Sequence, residues 1–520
     1  MAIIYKPKKA VLLRLKAPAR VTSVIPKAKI VQHQGDVLVA VPHRPDETRV
    51  LRNLGFDVPG PLPFYYNWSG SKTPYEKQVL TSDFASMHER LFILNGMGTG
   101  KTTSSLWAYD YLRSEKVVHR VLVVCPLSTM ERTWMDTIFR DFPHLSAAVL
   151  YGSAQRRKKL LAAEHDIYIV NTDGVKVIEK ELANRQDIDL IIVDEVAMYR
   201  NKSTDRWKSL NTIINKQKPR KAWGMTGAPI PNEPTDAFAQ ALLINPTNPD
   251  VPKYFNAFRD RVMVQRGPYT WLPKENALDE VMKILQPSIR FSLDDCVDLP
   301  ESVLLERDVE MTDEQKKAYD EMVRRLQTEM AEGQITAVNE AVKAGKLIQI
   351  ACGVAYGNEG AVTLPCGPRI SELMDVIEES EGKVLVFAPF TAVISHIAAE
   401  IGKKYEVGVV TGETKKEERD EIFRRFQDPK DPMHVIAANP GTMSHGLTLT
   451  EATTTCWYAP SNSADTYVQA NARVRRPGQK RTSVVVHIAA SKADRKSYAR
   501  LTGKVDRQGL LLEMIEGQDT

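Results

Sequence analysis

The sequence has little of what marks a membrane or disulfide-bonded protein. Its 520 residues include only five cysteines, Cys125, Cys296, Cys352, Cys366 and Cys456, and no two stand in C-x-x-C spacing. That argues against the common zinc and redox motifs and leaves buried thiols in a reducing compartment as the expectation. Cys125 and Cys456 fall in apolar strand-like runs, where a free thiol packs as a small hydrophobe. No apolar run reaches the roughly 18 residues that span a bilayer. The first twenty residues interrupt each apolar stretch with Lys or Arg, so they lack the apolar centre of a signal peptide. An intracellular protein with no membrane partner is expected.

A uniform charge is also missing. Residues 1–60 hold eleven Lys and Arg against four Asp and Glu, whereas the whole chain is only +5. All the positive excess therefore sits in the first sixty residues. Two readings of it stay open, a nucleic-acid-facing module and a basic tail with no specific partner. Within this segment KIVQHQGDVLVAVPHR reads as a β-hairpin around Gln34-Gly35-Asp36, and residues 46–54 as a short helix ending at Gly55. The Pro/Gly/aromatic stretch VPGPLPFYYNWSGSKTP then reads as a linker.

Beyond it, apolar runs alternate with helix-length amphipathic segments. The runs at 91–95, 120–126, 166–171, 190–195 and 221–227 are nearly continuous in apolar residues, as in strands buried on both faces of a parallel sheet. A second series lies at 383–389, 407–412, 434–439, 454–460 and 483–490, with a helix expected over 415–427. The fold class is α/β, with two parallel-sheet lobes in tandem. The expected domains are a basic accessory domain over 1–60, lobe 1 over 61–245, a linker and helical protrusion over 246–380, lobe 2 over 381–495, and a C-terminal tail or brace over 496–520. The charged stretch 313–351 has helical periodicity; a solvated hairpin and a DNA-gripping protrusion are both consistent with it.

Three segments carry chemistry. NGMGTGKTT, 95–103, follows a buried strand and opens a helix, the context of a phosphate-binding P-loop. Gly98 and Gly100 let backbone N–H groups curl around phosphate oxygens. Lys101 supplies a point charge for the β- and γ-phosphates, and the Thr102 hydroxyl suits Mg²⁺. Gly96, Thr99 and Thr103 belong to the same loop; Asn95 stands where the strict pattern has glycine. In LIIVDEVA, 190–197, a buried strand ends in Asp194 and Glu195. Asp194 would orient Mg²⁺, and Glu195 would position and polarise the attacking water. In QANARVRRPGQ, 469–479, Arg473 and Arg476 stand three apart, expected on one face of a helix. Guanidiniums delivered to a transferring phosphoryl group are worth on the order of 10³–10⁵ in rate.

In this order the segments resemble superfamily-two helicases, and within them the Snf-type DNA translocases, over about residues 70–495. KTPYEKQ resembles the adenine-reading motif, which implies Gln78 at the base with Tyr75 nearby. VLVVCPLSTMERTW and DIYIVNTDG resemble strand-tracking motifs, implying DNA contacts at Pro126, Ser128, Asn171 and Thr172. GMTGAPIPN is similar to TGTPIQN, which implies that Thr226 couples hydrolysis to lobe movement. VVTGETKKEERDEIFRRF and SHGLTLTEA resemble lobe-2 motifs, implying DNA contacts at Thr411, Ser444 and His445 and coupling at Gly446. QANARVRRPGQ is close to QAIGRAHRIGQ, with Asn471-Ala472 replacing Ile-Gly, and its RxGQ ending favours the Snf type. Met443-Ser444-His445 depart from a glycine-rich pattern, and Val196-Ala197 from Ala-His. The resemblance implies RecA-like lobes, ATP with Mg²⁺ held between them, and double-stranded or branched DNA as partner. It implies a monomeric translocase of the compact bacterial or viral kind, with DNA repair or recombination as its setting. Residues 1–60 would meet DNA or a DNA-bound protein such as a polymerase. The alternatives are a strand-separating DNA or RNA helicase and an ATP-switched DNA- or polymerase-binding clamp.

Overall fold

A computed structural model describes the chain except for residues 1, 34–35, 72, 217–219, 268–269, 332–336, 358–359, 444–447, 462 and 517–520, and the side chains of 33, 216, 326–331, 337–343, 356–357, 360 and 507–516. The chain forms two compact units, Met1–Cys296 with Leu510–Thr520, and Val297–Gly509.

The first unit opens with an antiparallel sheet of order β1-β2-β4-β3, made of β1 (Ala2–Tyr5), β2 (Ala10–Leu13), β3 (Lys29–His33) and β4 (Asp36–Pro42). The expected hairpin is β3–β4, with His33 opposite Asp36; its turn lies outside the described residues. Val11, Leu13, Val39 and Val41 pack with Val21, Ile25, Leu51 and Val58. Leu51 comes from the helix Pro45–Asn53, which has Pro at its start and Asp46 and Glu47 in its first turn, both favourable at a helix N-terminus.

The stretch expected as a linker is packed instead. The Trp107 indole donates to the Ser69 carbonyl at 2.8 Å, the Tyr66 hydroxyl to Asp110 at 2.7 Å, and Trp68 meets Trp107 edge-on at 5.2 Å. Between the Pro and Gly residues the chain forms the short helix Leu62–Tyr65, and its rings bury too much apolar area to stay in solvent. A Lys9–Glu115 ion pair of 2.9 Å and a 2.9 Å hydrogen bond between His43 and Tyr65 also fasten the N-terminal sheet to the rest of the first unit.

The main sheet of this unit is parallel. It contains β5 (Arg90–Ile93), β6 (Arg120–Cys125), β7 (Ala147–Val149), β8 (Ile167–Asn171), β9 (Ile188–Asp194) and β10 (Lys221–Met225). After the small hairpin β11 (Met263–Gln265) and β12 (Trp271–Pro273), β13 (Ser288–Ile289) completes the order β13-β5-β10-β9-β6-β8-β7. The five expected strands are present. The two added edges, of three and two residues, are too short to show an apolar run. Alternate residues feed opposite cores, Leu122, Val124, Tyr168 and Val170 on one face and Val121, Val123, Ile167 and Ile169 on the other.

The second unit repeats the plan. Its sheet has order β14-β21-β20-β17-β19-β18, from β14 (Ser302–Asp308), β17 (Lys383–Phe387), β18 (Glu406–Val410), β19 (Met433–Ala438), β20 (Ala452–Trp457) and β21 (Ser483–Ala489), with a separate hairpin of β15 (Val354–Gly357) and β16 (Gly360–Thr363). The segment expected as one linker, 246–380, divides between the units. β13 and the helices Phe255–Val262 and Ala277–Ile284 belong to the first; β14 and the helices Asp313–Ala331 and Ala337–Ala351 belong to the second. β14 was hidden because its partner is remote: it runs beside β21 from Ser302–Ser483 to Asp308–Ala489.

A buried ion pair ties the second unit together. Arg369 Nη1 lies 3.1 Å from Asp494 Oδ2, with side chains 1% and 0% exposed. Arg369 also donates to the carbonyls of Ala351, Tyr458 and Ile488, while Asp494 accepts from the main-chain N–H groups of Ala490 and Ser491 and from the Ser491 hydroxyl. Removing one partner strands a charge out of water. Asp494→Ala is expected to cost about 3–5 kcal/mol, read as an earlier urea transition, and Arg369→Met with Asp494→Leu should recover most of it.

Candidate active site

One register sets the site. Met225 of β10 pairs with Ile93 of β5 on one side and Asp194 of β9 on the other. The P-loop, the acidic box and the TGAP segment therefore leave the sheet at one level, on its C-terminal edge, where open α/β sheets bind ligands.

The P-loop is shaped by left-handed glycines. Gly98 has φ +80° and Gly100 φ +86°, and the helix Lys101–Ser114 starts at the next residue. A Cβ on Gly100 would stand 2.3 Å from Gln78 Nε2 and displace that side chain, and the left-handed φ of +86° favours glycine in any case. Gln78 braces the loop: its Nε2 donates to the Thr99 carbonyl at 2.9 Å, and its Oε1 accepts the Tyr75 N–H at 3.0 Å. Tyr75 is 41% exposed, leaving its ring open for stacking. The Thr99 hydroxyl donates to the Gly96 carbonyl at 2.8 Å. Lys101 turns inward, its ammonium 2.9 Å from the Asn95 carbonyl and 3.1 Å from that of Gly96. Thr102 and Thr103 are half-buried in the first helical turn. The departure at Asn95 has a structural reason. Its side chain donates to Thr81 Oγ1 at 2.8 Å and accepts the Phe291 N–H at 3.0 Å, joining the loop to the helix Glu76–Met87 and to the chain after β13.

Asp194 is buried, which pushes its carboxyl pKa up; the Trp134 indole N–H, 2.9 Å from Oδ2, and the nearby Lys101 charge oppose that rise. Glu195 holds φ +52°, a conformation a non-glycine residue adopts at a cost of about 1–3 kcal/mol and keeps mainly at functional sites. The Thr226 hydroxyl donates to Glu195 Oε2 at 3.2 Å and accepts the Ala228 N–H at 3.1 Å. Thr226 is thus joined to the Glu195 carboxylate, and the sequence pattern could not show that contact.

These residues fit the groups that such a loop implies. The tight glycine turn matches a phosphate chain, and the oxygen donors Thr102 and Asp194 match a hard divalent cation such as Mg²⁺. Among the described residues no cluster of three His, Cys, Asp or Glu forms another metal site.

In the second unit the arginines lie differently from expectation. The helix Ala464–Asn471 ends before them, and Arg473 and Arg476 sit in the following turns. Arg473 is only 3% exposed, with Nε on the Gln469 carbonyl at 3.0 Å. Arg476 donates to the Ala472 carbonyl at 3.0 Å and to Thr448 Oγ1 at 3.2 Å; burial lowers its pKa to about 10, still protonated at neutral pH. Gly478-Gln479 is structural, because the buried Gln479 amide binds the carbonyls of Thr450 and Ala452 at 3.0 and 2.9 Å. Asn471 accepts the Trp457 indole N–H at 2.9 Å, which accounts for that departure.

Residues 80–351 match the model of the SNF2-related domain and residues 368–478 that of the helicase conserved C-terminal domain. The chain belongs to the SNF2-related family. It is an ATP-hydrolysing enzyme of helicase superfamily two with two RecA-like lobes. It is 25% identical over 450 residues to the SWI/SNF-related matrix-associated actin-dependent regulator of chromatin subfamily A-like protein 1 of Xenopus laevis, covering 82% of this chain and 42% of that one. The putative protein p41 of Acyrthosiphon pisum secondary endosymbiont phage 1 is 27% identical over 332 residues, covering 61% and 72%. The Sulfolobus solfataricus SWI2/SNF2 ATPase core in complex with dsDNA aligns with 22% identity and TM-score 0.43, over 87% of this chain and 95% of that one. The chain thus spans less than half the length of its Xenopus relative.

The strand-contact residues expected in this SNF2-related chain are unequally placed. Pro126 is buried and Ser128 exposed, beside the 55% exposed Leu127, just after β6. Asn171, paired with Cys125 at the neighbouring end of β8, already accepts from Arg157 at 3.1 Å, and Thr172 is buried. Thr411 is half-buried in a turn with Thr414 and Glu413. Ser444, His445 and Gly446 lie outside the described residues. Sequence reading missed Trp134 and the bracing role of Asn95; a lone indole and a mild motif departure carry no recognisable spacing.

Glu195→Gln should lower steady-state ATPase by about 10²–10⁴-fold while nucleotide affinity stays within a few-fold, measured by phosphate release and fluorescent-nucleotide titration. Gly100→Ala should instead abolish nucleotide binding.

Proposed function

We propose that this SNF2-related ATPase is driven by double-stranded DNA, translocates along it, and so remodels branched DNA or protein–DNA complexes. The observation that carries the reading is the adjacency of the P-loop edge and an exposed turn on one sheet. β6, which leads to the exposed Leu127-Ser128 turn, lies directly between β9, which ends in Asp194, and β8. A strand held at that turn and a nucleotide held at the P-loop would act on the same rigid layer.

ATP would lie on the N–H groups of the glycine loop, with Lys101 at its terminal phosphates and Tyr75 beside its base. Mg²⁺, when bound, would neutralise phosphate charge next to Thr102 and Asp194. Glu195 would orient the attacking water and accept its proton, and Thr226 would register the change through its 3.2 Å bond to Glu195. Arg473 and Arg476 are the groups that would meet charge developing on the transferred phosphoryl group. DNA contacts of this kind go to phosphates and position the motor without reading sequence. A relative of Arabidopsis thaliana, 22% identical over 433 residues, is named ATP-dependent DNA helicase DDM1, in keeping with a DNA substrate. The exposed Lys6, Lys8, Lys16, Lys27 and Lys29 would give residues 1–60 a second, electrostatic hold on DNA.

Blunt duplex is expected to raise the ATPase rate strongly, with RNA giving no increase, and the protein should displace a triplex strand without unwinding a tailed duplex. An ATPase rate unchanged by saturating duplex would sink this reading. Reversing Lys6, Lys8 and Lys16 to Glu should weaken duplex binding and flatten its dependence on log salt by about one for each phosphate no longer neutralised.

A further inference from the structure

The indoles of this chain differ in what they bind. Trp107, Trp207 and Trp223 donate to main-chain carbonyls, of Ser69, Ala239 and His88, and Trp457 donates to the side-chain amide of Asn471. These are neutral acceptors, as a ring buried for its bulk requires. Trp134, fully buried, donates instead to the carboxylate of Asp194 at 2.9 Å. A hydrogen bond to an ionised group is shorter and stronger than a neutral one, and it fixes which carboxylate oxygen faces which way.

The backbone around Trp134 is also unusual. From the end of β6 the chain makes a 3₁₀ turn over Leu127–Thr129, then a π-helical turn over Met130–Met135, and only then the α-helix Asp136–Asp141. The Thr129 hydroxyl closes the first turn on the Pro126 carbonyl at 3.0 Å. π-turns are rare and occur often at functional positions; the chain has one other among the described residues, over Thr212–Lys216. Here the π-turn carries the buried Trp134–Asp194 bond and follows directly on the 3₁₀ turn with its exposed Leu127-Ser128 tip. With Oδ2 held by the indole, rotation of the carboxylate breaks a charge-assisted hydrogen bond in a buried site.

We propose that Trp134 is a positioning residue for Asp194, through which the tip at 127–129 and the metal-facing carboxylate move as one body. DNA engaging the tip would shift the π-turn, and the indole would carry that shift to the carboxylate that orients the cation. The inference rests on reading the tip as a DNA contact, as under the proposed function. It adds a route within the first lobe by which duplex would switch on hydrolysis, without any residue that touches both ligands.

The test compares wild type with Trp134→Phe, which keeps a ring and removes the N–H. In nucleotide-free protein, duplex DNA should slow amide exchange of wild type both at 127–135 and at 194–196. In the variant the protection should remain at 127–129 and vanish at 194–196. The Mg²⁺ concentration for half-maximal ADP binding, read by calorimetry, should rise by about tenfold, the scale of one lost hydrogen bond to a charged group. DNA-stimulated turnover should fall by a larger factor than the DNA-free rate. A double-mutant cycle with Ser128→Ala should show non-additive loss of stimulation. If the variant loses basal and stimulated rates by one common factor, with exchange at 194–196 and the Mg²⁺ requirement as in wild type, Trp134 is a filler and the inference is overturned. If Trp134→Phe fails to fold, benzothienylalanine at 134 gives the same ring outline without the donor and is judged by the same readouts. A wild type whose ATPase ignores duplex overturns the proposed function, and the coupling with it; a responsive wild type with an indifferent variant overturns the role of Trp134 alone.

Discussion

The position of β10 between β5 and β9 is the constraint on which the chemistry depends. Because Met225 is in register with both Ile93 and Asp194, the phosphate loop, the acidic box and Thr226 emerge together. In a strand the side-chain period is two, so a slip of one residue would turn Asp194 to the other face of the sheet and separate it from Lys101. The continuous burial of these strands, with Ile191 and Val193 on one face and Leu190 and Ile192 on the other, makes such a slip expensive. The apolar packing of the sheet and the placement of Asp194 and Glu195 are therefore one fact seen from two sides.

Charges withdrawn from water recur through both units, each held by partners that make its burial tolerable. Asp194 has the Trp134 indole and the Lys101 charge nearby; Arg369 and Asp494 have each other and a surround of backbone groups. Arg473 keeps a carbonyl on its Nε. Such groups are stiff, because moving them means leaving a hydrogen bond in a region without water to replace it. The αL backbone of Glu195 adds stored strain at the residue that would handle the water.

Much was legible beforehand because it is written locally. The β-strands of both lobes announced themselves as apolar runs, the P-loop as glycines between strand and helix, and the acidic box as a buried run ending in Asp194-Glu195. The edges β7, β13 and β14 were not legible, since two are short and the third finds its partner some 180 residues later. Charge spacing alone does not say where a helix ends: the arginines follow the helix Ala464–Asn471, with the carbonyls of Gln469 and Ala472 accepting from Arg473 and Arg476. In the aromatic stretch before the P-loop, turn-formers are visible in sequence while the packing of its rings, Tyr66 on Asp110 and Trp107 on Ser69, is not.

By itself, then, the sequence determined the class of machine: two parallel-sheet lobes, a nucleotide loop, its acids and a pair of arginines, all recognisable by spacing along the chain. Only the tertiary structure decided what each of those residues leans on. Gln78 braces Thr99, Asn95 joins the loop to Thr81 and Phe291, Thr226 reaches Glu195, and Trp134 reaches Asp194 across sixty residues of sequence. The reason is physical. A motif is a statement about neighbours in sequence, whereas the orientation of a buried polar group is set by whichever donor or acceptor the fold brings to it.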